Sequence, residues 1–413
     1  SRRQRQMCIR DRSRAVPRYQ PTRQRAFGIL AWTMTARVFL ALAFVSTLGC
    51  RPAPTKAPEP PQPAEQTRPS APAPQPIAKA ASEPAAPPEP DPTPPVAQAK
   101  EIWTADTVPP LSETERATFW STAEDASPEV RGGIVKELED VHYTIGNEWA
   151  LWAFYDDIKN LGGGYVGVGP DQAYLFMGWQ RPHLAWLIDY DSAVLRTHAM
   201  YKAVFAAAET PKEFVAMFEP ANLERANAAI DAMYDGREAR SLKGLLRRQR
   251  RYFRYRLRTL SKRLKGVDVP TYLTDQETYD YVKAMLRNDR VRPLLINLNA
   301  EEGIAGLNTA ATKLQVPVRV LYVSNAEEYW DAYDPQFVRN VDTLHGDETS
   351  VLLRTRLTWK INRDYMYIVQ SLDQYRSWLK ADGVTRVRDI LVGHPPTKAD
   401  QVNHWRHDQA PPG

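Results

Sequence analysis

Gly167 and Gly169 bracket a tight turn, Gly167-Val168-Gly169-Pro170-Asp171-Gln172, and Asp189 follows Gly169 by 20 positions. Residues of these types at this spacing suit recognition of a nucleoside. Glycines let a turn after a strand bring its backbone N–H groups close to a ligand. A carboxylate ending the next strand accepts hydrogen bonds from ribose hydroxyls. Asp171, Gln172 and Asp191 are the remaining polar groups of the turn and of that strand end. Two glycines stand where such turns commonly carry three, so a nucleotide-type pocket and a purely structural unit both stay open at this point.

Such a pocket needs two parallel strands joined by a helix, and the flanking residues supply that pattern. Tyr165 to Gly169 is a short apolar run, Ala173 to Trp179 is compatible with a helix, and Leu184 to Ile188 is a second apolar run before Asp189-Tyr190-Asp191. Strands connected this way lie parallel, because a parallel pair needs a long crossover.

Further strands and helices are expected on both sides. Ser112 with Glu115 three positions on reads as a capping box. A helix is expected from about Glu148 to Lys159, with Asn147 as its cap and Glu148 favouring its positive end. Ser192 to Ala208 reads as helix, with His198 and Tyr201 as packed members, and residues 211–234 continue helical. Val291 to Leu298 and Val318 to Val323 read as strands, and a helix through Ile304, Leu307 and Leu314 separates them. Ser324-Asn325 is expected to cap a helix begun by Glu327-Glu328. Thr349 to Leu357 and Tyr365 to Leu372 alternate like late, antiparallel strands. Residues 395–413 read as a frayed tail, where the spacing of His404 and His407 does not amount to a metal site. Asn297, Asn299, Ser324 and Asn325 then fall at strand ends with Asp171, Gln172, Asp189 and Asp191, on the edge where parallel sheets bind ligands.

Charge is segregated along the chain. The whole carries a formal net charge of +5, yet residues 1–50 hold ten Arg against one Asp, which leaves −4 for the remainder. The basic balance therefore belongs to the leader and no nucleic-acid partner is expected. Arg237 to Lys265 is the exception, with thirteen basic residues and one acid interleaved with Leu242, Leu246, Phe253, Leu257, Leu260 and Leu264 at helical spacing. This stretch reads as a helix packed by its leucine face, and its basic face suits an anionic lipid or an envelope polymer.

The amino-terminal residues carry targeting signals. Met7-Cys8-Ile9-Arg10-Asp11-Arg12 resembles the translation of a transposase sequencing adapter, so residues 1–33 are expected to be a non-native leader. From Met34 the pattern is that of a signal peptide: Arg37, an apolar core from Val38 to Leu48, then Gly49 and Cys50. That ending resembles a bacterial lipobox, which makes residues 34–50 a lipoprotein signal and Cys50 the lipidated attachment to a membrane. Arg51 after it resembles the pattern permissive for the outer membrane. Residues 51–99 hold 17 of the 34 prolines and read as a disordered linker before a domain at 100–395. Cys8 and Cys50 are the only cysteines, so the domain has no disulfide and no cysteine-held metal, and no metal is expected.

With these residues in view the chain resembles an uncharacterised family of bacterial exported proteins with a class I S-adenosylmethionine-dependent methyltransferase-like domain. The resemblance covers roughly residues 140–375. It rests on Gly146-Asn147-Glu148, on Tyr165 to Gln172, on Asp189-Tyr190-Asp191, and on His198 with Tyr201-Lys202. It also uses Tyr272-Leu273-Thr274, Tyr322 to Glu327 with Tyr329, and Arg339-Asn340-Val341. It implies an α/β fold: a three-layer α/β/α sandwich, Rossmann-like, with a mostly parallel seven-stranded sheet and a helical insertion at about 210–270. The family's strand near Val291 usually ends in Gly-Asp, and Ile296-Asn297 stands there instead.

Two functions follow as expectations. The first is a cell-envelope lipoprotein whose domain binds a ligand or acts as a scaffold without catalysis. The second is an active methyltransferase, with Gly167 and Gly169 against the methionine moiety of S-adenosylmethionine, Asp189 or Asp191 on the ribose, and Asn297 facing the methyl acceptor. Methyl transfer needs alignment more than proton chemistry, so no signature nucleophile is required. No G-x-S-x-G, H-E-x-x-H or cysteine nucleophile points to a hydrolase.

Overall fold

A computed structural model describes residues 101–128, 143–398 and 402–412. The readings of the leader, the signal peptide, Cys50 and the proline-rich linker lie outside the described residues. The first strand–turn–helix–strand unit forms where the periodicity places it. β1 is Gly164–Val168, helix α2 is Gln172–Gln180 (α1, Glu113–Trp120, precedes it) and β2 is Leu184–Asp189. Every residue of α2 is buried, which explains why it shows no amphipathic stripe. Helix α3, Ser192–Ala207, follows β2, and two shorter helices at Pro211–Ala216 and Leu223–Asp231 lead to α4, Gly236–Gly266. Helix α5, Gln276–Arg287, returns the chain to β3, Val291–Leu295. Then come α6 (Glu302–Lys313), β4 (Val318–Ser324), α7 (Pro335–Thr343), β5 (Val351–Leu357), β6 (Tyr365–Ser371), α8 (Leu372–Leu379) and β7 (Asn403–Arg406).

The seven strands form one sheet in the order β3-β2-β1-β4-β5-β6-β7. β1 to β5 are mutually parallel, β6 runs antiparallel to β5, and β7 runs parallel to β6. The strand order reverses between β1 and β4, which makes that pair the topological switch point. Side chains alternate across the sheet and divide the core in two. Tyr165, Leu187, Val320 and Tyr322 face one cluster with α2, α3, α4 and α5. Val166, Trp186, Ile188, Leu321 and Val323 face the other with α1, α6, α7 and α8. This is a Rossmann-like three-layer sandwich, as the resemblance implies. Among the described residues no helix is long and apolar enough to cross a membrane.

Helix α4 is built as its pattern dictates. Leu242, Leu246, Phe253, Leu257, Leu260 and Leu264 are buried, and the basic positions between them face outward with one exception, Arg256. The segment before residue 128 is part of the second layer. Ser112 caps α1 with the reciprocal Glu115 contact, and Phe119 packs edge-on to Trp186 at 5.1 Å. Arg292 donates to the Phe119 and Thr122 carbonyls at 2.7 and 2.9 Å. The Asp125 carboxylate accepts from Asn297, Glu302 and Gly303 N–H at 2.9, 3.2 and 2.9 Å, so a side chain from outside α6 satisfies its first turn.

Four local expectations are corrected. No helix starts at Glu148: a short 3-10 turn covers Leu151–Phe154 and one helical turn covers Tyr155–Ile158, because Glu148 is drawn into a buried polar cluster described below. β3 stops at Leu295, since the Asn297 backbone turns toward Asp125. The segment after β4 is a single 3-10 turn, Ala326–Tyr329, with no side-chain cap from Asn325, because Glu327 turns inward to Arg354 and Tyr375. Residues 403–406 form β7 rather than a frayed end: the unpaired edge of β6 offers a ladder, and His404 pairs with Asp157 at 2.8 Å.

The two faces of α4 should respond differently to truncation. Leu257→Ala is expected to cost about 2–5 kcal/mol in urea unfolding, while Arg247→Ala stays within about 0.5 kcal/mol of the parent.

Candidate functional site

The first four strands are parallel, so their carboxyl ends share one edge, and the expected polar residues collect there. Asp171 and Gln172 follow β1, Asp189 ends β2 with Asp191 two residues on, Asn297 and Asn299 follow β3, and Ser324 ends β4 before Asn325. Most are also engaged locally, while Gln172 Oε1 and Asn299 Oδ1 are buried without a hydrogen-bond partner among the described residues. Asp189 accepts from the Asp191 N–H at 2.8 Å, and Asp191 caps α3 by accepting from Ala193 N–H at 2.8 Å. Asn297 accepts from Asn299 N–H at 3.1 Å, which closes an Asx turn. The Asn325 amide reaches Tyr329 at 3.3 Å.

The space that the two turn glycines leave is taken by the protein itself. Gly169 has φ 86°, a conformation the turn requires. A Cβ there would collide with the Gln172 amide, and a Cβ on Gly167 would collide with the Tyr165 phenol. Neither glycine therefore opens onto a vacant approach to the turn.

The centre of the crevice is a buried polar cluster between β1 and β4, at the switch point. Alternation aims Tyr322 and Ser324 of β4 and Thr355 of β5 onto the face that carries α2 and α4. There they converge on Glu148. Its carboxylate accepts from Tyr322 and Ser324 hydroxyls at 2.5 and 2.7 Å and from Thr355 at 2.6 Å. Ser324 holds φ 53° to do so, a strained region for a residue with a Cβ. Arg256 enters from α4. Its Nε donates to Asp171 Oδ2 at 2.8 Å, and one terminal nitrogen donates to the Glu148 carbonyl at 2.5 Å. Asp171 Oδ1 also accepts from Gly146 N–H at 2.5 Å. The indole of Trp149 lies under both Arg256 and Arg263, at 4.7 and 5.0 Å. The same loop is tied at its far end, where Trp149 and Ala150 N–H donate to the Tyr367 hydroxyl at 3.1 and 2.8 Å.

Gly146 is fixed by this packing: an added Cβ would sit 2.9–3.0 Å from the Gln172, Arg256 and Asp171 polar atoms at once. Burial opposes the charge on Arg256, but Asp171 beside it outweighs that and holds the guanidinium above its ordinary value. Burial pushes Asp364, next to Trp149 and Tyr367, up to about 6. His198 is moved the other way, to about 4, by burial, so it packs as a neutral ring with Nδ1 3.0 Å from Tyr174 Oη.

Glu148, Arg256, Tyr322 and Thr355 were not among the candidate site residues, although the resemblance rests in part on Glu148 and Tyr322. Arg256 does leave a signal. It falls between Phe253, Leu257 and Leu260, on the apolar stripe of α4 rather than its basic face. Glu148 gives none beyond its Gly-Asn-Glu context.

Residues 143–405 match the profile of a domain of unknown function, DUF7790. The chain belongs to this family. The DUF7790 match begins at the loop that carries Glu148 and ends inside β7, so it takes in the whole cluster and all of the sheet but Arg406. Comparison with curated proteins gives no match. Among the described residues of this DUF7790 member, no group of three His, Cys, Asp or Glu is suited to a metal ion. An open cleft of about 390 Å³ lies at the opposite edge of the sheet, lined by residues that include Asp157, Val351, Gln370, Arg406 and His407.

Removing Arg256 strands a buried carboxylate. Arg256→Met should cost roughly 3–5 kcal/mol in urea unfolding, and Asp171→Asn in the same chain should restore part of it. Asp364 gives a pH signature. Its folded pKa is raised, so its contribution to stability is full at acid pH and is lost as pH climbs through about 6. Relative to Asp364→Asn, the parent should lose roughly 1–3 kcal/mol between about pH 4 and pH 7, toward the lower end because Asp364 is partly exposed.

Proposed function

We propose that this protein is a cell-envelope lipoprotein whose Rossmann-like domain works as a scaffold or binding module rather than as a methyltransferase. The observation that carries the reading is the occupied switch point. Where sheets of this order place a nucleoside, this chain places Glu148, Arg256 and Trp149 of its own. The carboxylate nearest the turn, Asp171, is committed to Arg256 and Gly146. Opening that cleft would separate a buried ion pair, which costs several kcal/mol before a ligand makes its first contact. Attachment through lipidated Cys50, outer-membrane sorting and a spacer at 51–99 complete the proposal. S-adenosylmethionine is made in the cytoplasm, so an exported domain would meet little of it.

The methyltransferase reading keeps one supporting observation: Asp189 ends β2 beside the turn after β1, on the edge where a ribose would lie. In that reading Asn297 faces the methyl acceptor. Calorimetry separates the two. Titration with S-adenosylmethionine and with its demethylated product is expected to give no binding heat. Micromolar binding that Asp189→Ala abolishes would reverse the conclusion in favour of the enzyme.

A further inference from the structure

We infer that the exposed face of α4 is a docking surface for an anionic phospholipid bilayer. The helix has 31 residues, about 46 Å at 1.5 Å per residue. Arg240, Arg247, Arg251, Tyr255, Lys262 and Lys265 follow one another at spacings of three, four and seven, so they return to one face in a single row. All six are exposed, and among the described residues none of these five cations has an ion-pair partner. Arg258 falls in the same row and pairs with Glu219, which Arg254 shares; the other ion pairs of this helix are Lys243 with Asp231 and the buried Arg256 with Asp171.

A row of like charges at helical spacing destabilises its own helix. Here the leucine face, buried against the protein, offsets that repulsion and holds the row in place. Residues 237–265 carry a net +12, and the rest of the chain after residue 50 carries −16. An anionic partner is therefore repelled by the remainder of residues 51–413 and attracted to this face, which orients it.

The partner is a flat, negatively charged lipid surface because of what stands within the row. Tyr255 is 51% exposed and Tyr252, beside it, is 43% exposed. Amphipathic rings of this kind settle at the headgroup level of a bilayer. Cations in one straight row on one helix can all touch a planar array of phosphates at once, and each contributes about 1 kcal/mol near such a surface. The inference does not depend on how the crevice at the switch point is read.

The test uses the full chain with Cys50→Ser, so that acylation plays no part, in sedimentation with vesicles. The vesicles hold equal parts phosphatidylglycerol and phosphatidylcholine, with phosphatidylcholine alone as the comparison. Binding is expected to the anionic vesicles only and to weaken as salt rises. Arg240→Gln, Arg247→Gln, Arg251→Gln and Lys262→Gln together should lower the partition coefficient by about a hundredfold or more. The same number of substitutions off the row, at Arg225, Lys313, Arg339 and Lys380, should leave it within about twofold. The basic leader is common to all these chains, so it cancels in the ratios, and circular dichroism checks the fold of each. Equal partitioning of the row variant and the parent overturns the inference. So does binding that ignores salt. Capture by soluble heparin with no capture by the anionic vesicles also overturns it, and assigns the face to an envelope polymer instead.

Discussion

The ion pair between Asp171 and Arg256 is the contact on which the carboxyl edge of the sheet depends. Both side chains are buried, and taking two charges out of water costs several kcal/mol each. Their attraction offsets this only because other groups complete the arrangement. Gly146 N–H covers the second carboxylate oxygen, the Glu148 carbonyl receives another guanidinium proton, and Trp149 lies along the plane of the cation. The pair thereby fixes three things at once: the turn after β1, the register of α4 over the sheet, and the path of the loop from Gly146 to Ala150.

That constraint shapes the crevice. In doubly wound sheets the strand-order reversal leaves a gap, because connections leave it in opposite directions. A gap lined by backbone dipoles and polar side chains is costly to leave dry. Here three hydroxyls, from Tyr322, Ser324 and Thr355, meet one carboxylate from a loop that precedes the first strand. The Glu148 carboxylate is thus met inside the chain, while Gln172 Oε1, Asn299 Oδ1 and one terminal nitrogen of Arg256 are buried without a hydrogen-bond partner among the described residues.

Much of the fold was legible in the sequence, for reasons that are local. The capping box at Ser112 and Glu115 needs only residues three apart. β1, β2, β4 and α3 carry apolar periods that no distant contact overrides, and α4 announces its buried face by its leucines. The placement of Asp189, Asn297 and Ser324 at one edge followed from strand ends in a parallel sheet. What was not legible is tertiary. Glu148 has the neighbours of a helix start, yet three hydroxyls from two strands more than 170 residues later pull it out of that role. The His404 strand exists because β6 leaves an edge to pair with, and nothing in residues 403–406 states that edge. Polar residues at strand ends also could not reveal which of them the protein would use on itself.

The segment around Phe119 and Asp125 bears on where this domain starts. It lies before the DUF7790 match, which begins at residue 143. Yet Phe119 covers Trp186, Arg292 grips its carbonyls, and Asp125 completes the first turn of α6. A chain trimmed to the family limits would uncover an indole on the sheet, leave the Arg292 guanidinium without its carbonyls, and leave amides at the head of a helix without acceptors. The stretch that the family shares is thus shorter than the stretch that packs into one core.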